Sequence, residues 1–262
     1  MTGPRILLID IETAPILADV WRLFDQDVSL NQIVKDWHLL AWGAKWLDAP
    51  EDEMFYFDQS KAREVENDKT IIKEAWKLLN QADIVVTHNG ISFDIPRLNA
   101  RFAYHGLPPV SPFKHHDTKV IAKKYFGFTS NKLEYLAGFL KVPVQKMVKR
   151  QFAGHYLWRE CLRGNQDAWA EMKAYNLRDV LALQGVFERL RPWDKLIDYS
   201  IYSDSEEHVC VCGCTEHDKR GYSYTAIGKF QRYVCTKCGR WSRGRENLLS
   251  KEKRKSIRSV AA

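Results

Sequence analysis

The chain has 262 residues, 45% of them hydrophobic, with 40 Lys and Arg against 33 Asp and Glu and a formal net charge of +7. This is more than one domain usually needs and ample for a core, so a main domain with a small appendage is expected. No apolar run approaches the roughly eighteen uncharged residues of a membrane helix and the first residues do not read as a secretory signal, which excludes a membrane-spanning helix and points to a soluble cytoplasmic protein.

Taken in order, residues 5–9 form a short apolar run that reads as a buried strand. Asp10 and Glu12 follow two apart, on one face of that strand. Residues 16–36 make a longer connection than a hairpin needs; its Trp21, Leu23 and Phe24 are expected to pack on the core, the other reading being that they line the path of a substrate strand. Residues 39–46 and 54–57 are two further strands, and a helix is expected near 70–80. Residues 82–87 are a second buried strand, ended by the turn signal His88-Asn89-Gly90. A helix from about 93 to 104 then opens on Asp94, beside its positive terminus. The basic cluster at 146–150 reads equally as a backbone contact or as solvated surface. A long helix is expected over 166–190, with Trp169, Met172, Leu177, Val180, Leu181 and Leu183 at mixed three and four spacing. Tyr175 and Asp179, one turn apart, share a face of it. The order of strands and helices suits an α/β fold with a mixed sheet.

Four carboxylates and a phenol in three segments suit one kind of chemistry. A phosphodiester resists attack by an anion until cations neutralise its oxygens, and two hard metals about 3.5–4 Å apart clamp the attacking and leaving oxygens. Mg²⁺ and Mn²⁺ take oxygen ligands. Asp10, Glu12, Asp94 and Asp179 could hold them if their segments converge, with Tyr175 one turn from Asp179 to orient the attacking water.

At these residues the chain resembles the DEDD exonucleases: Asp10 and Glu12 match their first motif, Asp94 the second, and Tyr175 with Asp179 the third. It resembles the tyrosine branch, DEDDy, since Ala174 stands where the other branch has His. Asp-Ile-Glu-Thr and Asn-Gly-Ile-Ser-Phe-Asp are similar to the proofreading domains of family B DNA polymerases, and the likeness covers roughly residues 5–190. The resemblance implies an RNase H-like mixed five-stranded sheet flanked by helices and 3′-to-5′ removal of nucleotides, with the four carboxylates on Mg²⁺ or Mn²⁺ and Tyr175 orienting water. Asp117 and the Lys132-Leu133 pair match supporting segments of such enzymes. His88, Asn89 and Phe93 are candidates for substrate contact, His88 and Asn89 serving equally as turn residues.

Five of the six cysteines fall between Cys210 and Cys238, leaving Cys161 alone in the first part. Cys235-Thr-Lys-Cys238-Gly is half of a zinc ribbon, whereas the other half departs from Cys-x-x-Cys. The preferred ligand set is Cys210, Cys212, Cys235 and Cys238, with Cys214 as the alternative and His208 or His217 as weaker candidates for a structural Zn²⁺. Expected divisions are an exonuclease domain over 1–195, a linker over 196–207, the ribbon over 208–245 and a basic tail over 246–262.

Residues 208–262 carry 13 Lys and Arg against 4 Asp and Glu, a surplus of 9 that leaves residues 1–207 at −2. Aromatics interleave with these cations at 221–224 and 229–233, the pairing that stacks bases and neutralises phosphates. The expected partner is DNA, as single strands or 3′ ends, with RNA as an alternative, replication or repair proteins as companions, and no membrane. Three functions stay open: a DNA 3′-to-5′ exonuclease, an exoribonuclease resembling RNase D, and a noncatalytic nucleic-acid binder. The pairing of exonuclease and ribbon resembles phage proteins, which would place it in a host cytoplasm.

Overall fold

The apolar run at the start of the chain becomes the middle strand of a five-stranded sheet. The computed structural model describes residues 3–144, 151–195, 197–204 and 206–258, and the basic cluster at 146–150 lies outside them. The chain divides into two compact units, residues 5–189 and residues 190–262 with 1–4.

In the first unit, β1 (Ile6–Thr13) is almost wholly buried, as a strand covered on both faces must be. A two-stranded hairpin of β2 (Leu17–Ala18) and β3 (Ile33–Lys35) follows, then β4 (Leu39–Trp46) and β5 (Phe55–Asp58). Helix α1 (Lys69–Leu79) buries Ile71, Ile72, Ala75, Leu78 and Leu79, one stripe at helical spacing. After it come β6 (Ile84–Thr87), α2 (Asp94–Tyr104), β7 (Lys114–Asp117), α3 (Thr118–Tyr125), α4 (Leu133–Phe139), α5 (His155–Leu162) and α6 (Gln166–Leu190). The sheet order is β5-β4-β1-β6-β7. β4 and β5 run antiparallel to their neighbours while β6 and β7 are parallel, so this is the mixed, helix-flanked RNase H-like sheet that was expected.

Alternation along β1 puts Leu7, Ile9 and Ile11 on one face, and the unit has two cores. Leu7, Ile9 and Ile11 pack with residues of α1 and α2, including Ile72, Leu79 and Leu98. On another part of the sheet Leu40 and Ala41 pack with Leu157 and Cys161 of α5 and with Trp169 and Met172 of α6. Along α6, Val180 and Leu183 are buried as expected, Leu177 and Leu181 are half-buried, and Val186 and Phe187 join the buried set.

The expectation that Trp21, Leu23 and Phe24 pack on the core is overturned: they are 94%, 87% and 78% exposed, and Leu30 is 86% exposed. The reason lies in the hairpin. Asp19 N–H donates to the Gln32 carbonyl at 2.9 Å and Gln32 Nε2 returns a bond to the Asp19 carbonyl at 2.8 Å. The intervening loop ties itself together through Gln26, Arg22 and Ser29, which leaves its apolar side chains facing away from the body.

The second unit contains an antiparallel sheet of order β10-β9-β8, built from β8 (His217–Thr225), β9 (Gly228–Cys235) and β10 (Trp241–Arg243), and ends in α7 (Lys251–Ser256). In the stretch expected as a linker, Ile197 and Tyr199 are buried and a 3-10 turn spans Tyr199–Tyr202. Among the described residues no helix is long and apolar enough to cross a membrane.

One buried charge ties three elements of the first unit. Asp68, fully buried ahead of α1, accepts from Leu39 N at 2.8 Å, from Arg101 Nε at 2.7 Å and Nη2 at 2.6 Å, and pairs with His105 Nε2 at 2.6 Å. Asp68→Ala strands the Arg101 guanidinium without its anion and is expected to lower unfolding free energy by about 3–5 kcal/mol. Urea denaturation checks this, and a loss below about 1 kcal/mol contradicts it.

Candidate active site

Because side chains alternate along a strand, Asp10 and Glu12 leave β1 on the face opposite Ile9 and Ile11. Each meets a donor from a distant helix. Asn176 of α6 donates through Nδ2 to Asp10 Oδ2 at 2.8 Å and to the Asp10 carbonyl at 3.2 Å. Trp158 of α5 donates its indole N–H to Glu12 Oε2 at 3.0 Å. β1 continues past its last pairing with β6 at Leu8↔Val86, and beyond that ladder Ile11 N–H donates to Asp94 Oδ1 at 3.2 Å. Asp94 is thereby fixed at the first turn of α2, buried beside β1.

The third segment closes on the same place. Burial pushes the Tyr175 hydroxyl well above the usual phenol range, and the negative charges of Asp179, Glu12 and Asp10 and a hydrogen bond with Asp179 add to the effect. The hydroxyl is therefore protonated at neutral pH and acts as a donor, not as a base. Trp158 meets the Tyr175 ring edge-on, with centroids 6.0 Å apart. Asp10 is raised well above the carboxylate range, first by burial and then by Glu12, Asp94 and Asp179, with Asn176 opposing. Asp94 is pushed up to about 7, chiefly by burial. The structure thus brings together all five residues named from the sequence, in an anionic cluster that Mg²⁺ or Mn²⁺ would suit through its oxygen donors.

Three further residues were not named from the sequence. Asn176 and Trp158 have no local motif, since each partner lies more than a hundred residues away, at separations of 166 and 146. Gly43 did carry a signal, being a glycine inside a strand, which marks close approach. It sits opposite Asp10 in the β1–β4 ladder, and a Cβ there would stand 2.3 Å from Asn176 Oδ1.

The His88 turn is held from within. The His88 ring lies 2.8 Å from Thr118 Oγ1 and 2.9 Å from the Asn131 carbonyl, and burial holds it below the usual imidazole range. Asn89 has φ +74°, a left-handed conformation that Asn tolerates. Asp117 accepts from the backbone of Asn89 at 2.9 Å and Ile91 at 3.1 Å while capping α3. These contacts describe turn geometry for His88 and Asn89. Phe93 is half-buried against the core beneath the Arg97 guanidinium, 4.9 Å from its ring.

Residues 42–191 match the family model of the RNase_H superfamily. The chain belongs to that superfamily. The match begins within β4 and so leaves out Asp10 and Glu12, which join the rest of the cluster only in three dimensions. The chain is also similar in fold, over 73% of its length, to a family B DNA polymerase from the hyperthermophilic archaeon Pyrobaculum calidifontis, with a TM-score of 0.54 and 18% identity. The likeness takes in 25% of the polymerase chain. No curated protein matches the chain.

Outside the superfamily match lies a second metal-competent group. The sulfurs of Cys210, Cys212, Cys235 and Cys238 lie within 4.8 Å of one another. Cys210 and Cys238 are 3.5 Å apart and Cys212 and Cys235 3.6 Å, near the roughly 3.8 Å edge of a tetrahedron of thiolates around Zn²⁺. Gly213 and Gly239, after the second cysteine of each pair, have φ of +80° and +72°, which lets the chain fold back under the sulfurs. Cys214 stands outside the four, its sulfur 3.6 Å from the Glu216 carbonyl. His208 and His217 are likewise outside, bound to Ser200 Oγ at 2.7 Å and the Thr215 carbonyl at 2.8 Å. Among the described residues these thiols alone form so tight a group; the carboxylates stand farther apart.

The raised carboxyl groups set a pH dependence. A carboxyl whose folded pKa exceeds its unfolded value of about 3.9 favours the folded state most at low pH, and that contribution is lost as pH rises through the folded value. Without divalent metal, the melting temperature should fall from pH 4 to above 7 relative to Asp94→Asn, whose side chain cannot ionise. Mn²⁺ should restore stability increasingly over the same range. Thermal melts across pH with and without Mn²⁺ check this; a wild-type difference from Asp94→Asn that is flat with pH contradicts it.

Proposed function

We propose that the chain is a two-metal 3′-to-5′ exonuclease of the DEDDy type that releases nucleotides from DNA, at single-stranded or frayed 3′ ends. The observation that carries this reading is the convergence of three segments, Asn176 of α6 bonding Asp10, the Ile11 amide bonding Asp94, and Tyr175 hydrogen-bonded to Asp179 within the field of Asp10 and Glu12. Superfamily membership supports nuclease chemistry in general, and the polymerase named above favours DNA as the substrate.

Asp10, Glu12, Asp94 and Asp179 would hold two Mg²⁺ or Mn²⁺ ions, which when bound supply positive charge to the scissile phosphate. The chain's own part is positional. Asn176 and Trp158 aim Asp10 and Glu12 from the helix side of the sheet, and the Ile11 amide aims Asp94. The protonated Tyr175 hydroxyl, tied to Asp179, orients the attacking water.

The second unit would supply affinity. Its cations lie over aromatic rings: Lys229 over Tyr222 at 3.9 Å, Arg232 over Trp241 at 5.1 Å and Arg243 over Phe230 at 4.5 Å. Cations held flat on rings present donors to phosphates while the rings stack bases. A Zn²⁺ on the four thiols would be structural, as closed sets of four thiolates are. We extend the proposal to a phage protein of the host cytoplasm that works beside replication or repair proteins.

With 5′-labelled single-stranded DNA and matched RNA in Mg²⁺ or Mn²⁺, the wild type should give a ladder shortening from the 3′ end, faster on DNA. Asp10→Ala should slow it by about a thousandfold, the scale of several kcal/mol of lost charge stabilisation. Tyr175→Phe should cost about ten- to a hundredfold in turnover. Faster trimming of RNA moves the assignment to an exoribonuclease, and cleavage unchanged in Asp10→Ala contradicts the site.

The triple change Lys229→Ala, Arg232→Ala, Arg243→Ala should weaken binding and flatten its salt dependence. Three phosphate contacts on a single strand are worth about 2 in the slope of log affinity against log salt. Anisotropy titrations over a salt series check this, and an unchanged slope contradicts the role given to the second unit.

A further inference from the structure

The hairpin arm between β2 and β3 has no role in the scheme above, yet it is the most apolar exposed feature of the first unit. Val20, Trp21, Leu23, Phe24 and Leu30 all face solvent there. A two-stranded hairpin is marginal by itself, and contiguous exposed apolar side chains mark an interaction surface.

Where the arm is rooted narrows what it touches. It leaves the body after Thr13, the last residue of the strand that carries Asp10 and Glu12, and returns into Leu39, which pairs with Thr13. At its root a groove of about 440 Å³ is lined by Pro15, Ile16, Trp37, Arg97, His155 and Trp158. Trp158 is the residue whose indole holds Glu12, so one wall of the groove at the foot of the arm adjoins the carboxylate cluster. Arg97 lies over the Trp37 ring at 4.2 Å, the kind of cation and aromatic surface that a nucleotide contacts.

Charge narrows it further. Residues 16–36 hold four Asp against one Arg and one Lys, a net charge of −2. Such an arm gives phosphates, of a duplex or of a single strand, no attraction, so charge is not what it contributes to binding. What it offers a polyanion is apolar, the exposed side chains of Trp21, Leu23, Phe24 and Leu30, two of them flat rings. These suit unpaired bases, whose faces are uncharged and whose stacking on aromatics is insensitive to base identity.

We propose that the 19–32 arm is a stacking surface for unpaired bases of the nucleic-acid strand beyond the reaction centre. The proposal rests on the nuclease reading for its partner and adds a salt-independent source of affinity in the first unit, distinct from the cations of the second.

The test uses the full chain without added divalent metal, a fluorescently labelled single-stranded oligothymidine, and the same oligonucleotide with abasic residues. Trp21→Ser with Phe24→Ser should weaken binding to the normal strand by about tenfold or more, the scale of one or two lost stacks. The salt slope should stay that of the wild type, the abasic strand should bind both proteins alike, and the melting temperature should not change because the side chains are exposed. Equal affinity of the two proteins for the normal strand overturns the proposal. So does a wild-type dimer, seen by light scattering, that the double variant dissolves while strand affinity holds, which makes the arm a contact between copies. Cleavage separates the two readings: a wild type that degrades DNA while the double variant binds as tightly fails the arm alone, and a wild type that cleaves nothing while the double variant binds more weakly fails the nuclease alone.

Discussion

Four carboxylates at one end of a sheet repel one another, and holding them there shapes the first unit. Burial pushes Asp10 and Asp94 toward the protonated form, and on Asp10 the charges of Glu12, Asp94 and Asp179 add to it. A fold that gathers such groups needs donors aimed at them and a backbone too stiff to let them separate. The middle strand supplies the stiffness, being paired on both sides and buried on both faces. The donors come one from each neighbouring element: Asn176 from α6, Trp158 from α5 and the Ile11 amide from β1 itself. Gly43, opposite Asp10 on β4, leaves the space that Asn176 fills. On the proposed function, a divalent cation bound there would relieve this repulsion, so the cost of the bare cluster and the gain on binding metal would share one origin.

Much of this can be read along the chain because the relevant signals are periodic. A run buried on both faces, ended by two carboxylates at strand spacing, identifies β1; a long stripe at helical spacing with Tyr175 and Asp179 on one face identifies α6. Asp94 at a helix start follows from the turn before it. The preference for Cys210, Cys212, Cys235 and Cys238 also matches the thiols that the structure gathers, and Cys-x-x-Cys-Gly at 235–239 is the local signal for half of it.

What could not be read is long-range or depends on where a surface happens to be. Asn176 looks like any polar residue of a helix until its partner on β1 is known. Trp158 has no local signal of its partner: its ring is packed, and its N–H is spent on Glu12. Asp117, in a segment that only supports the resemblance, has its partners on the turn at Asn89 and Ile91, which no local spacing shows. The arm misled for the opposite reason. Apolar residues imply burial only where a face of the body is left to cover, and the sheet around β1 is already covered by helices.

Anomalous diffraction from crystals soaked in Mn²⁺ tests the central claim most directly, because it locates ions without reference to activity. The account predicts two peaks in the first unit, bracketed by Asp10, Glu12, Asp94 and Asp179, and their loss in Asp10→Asn. Peaks elsewhere, with none among these carboxylates at saturating Mn²⁺, would contradict it.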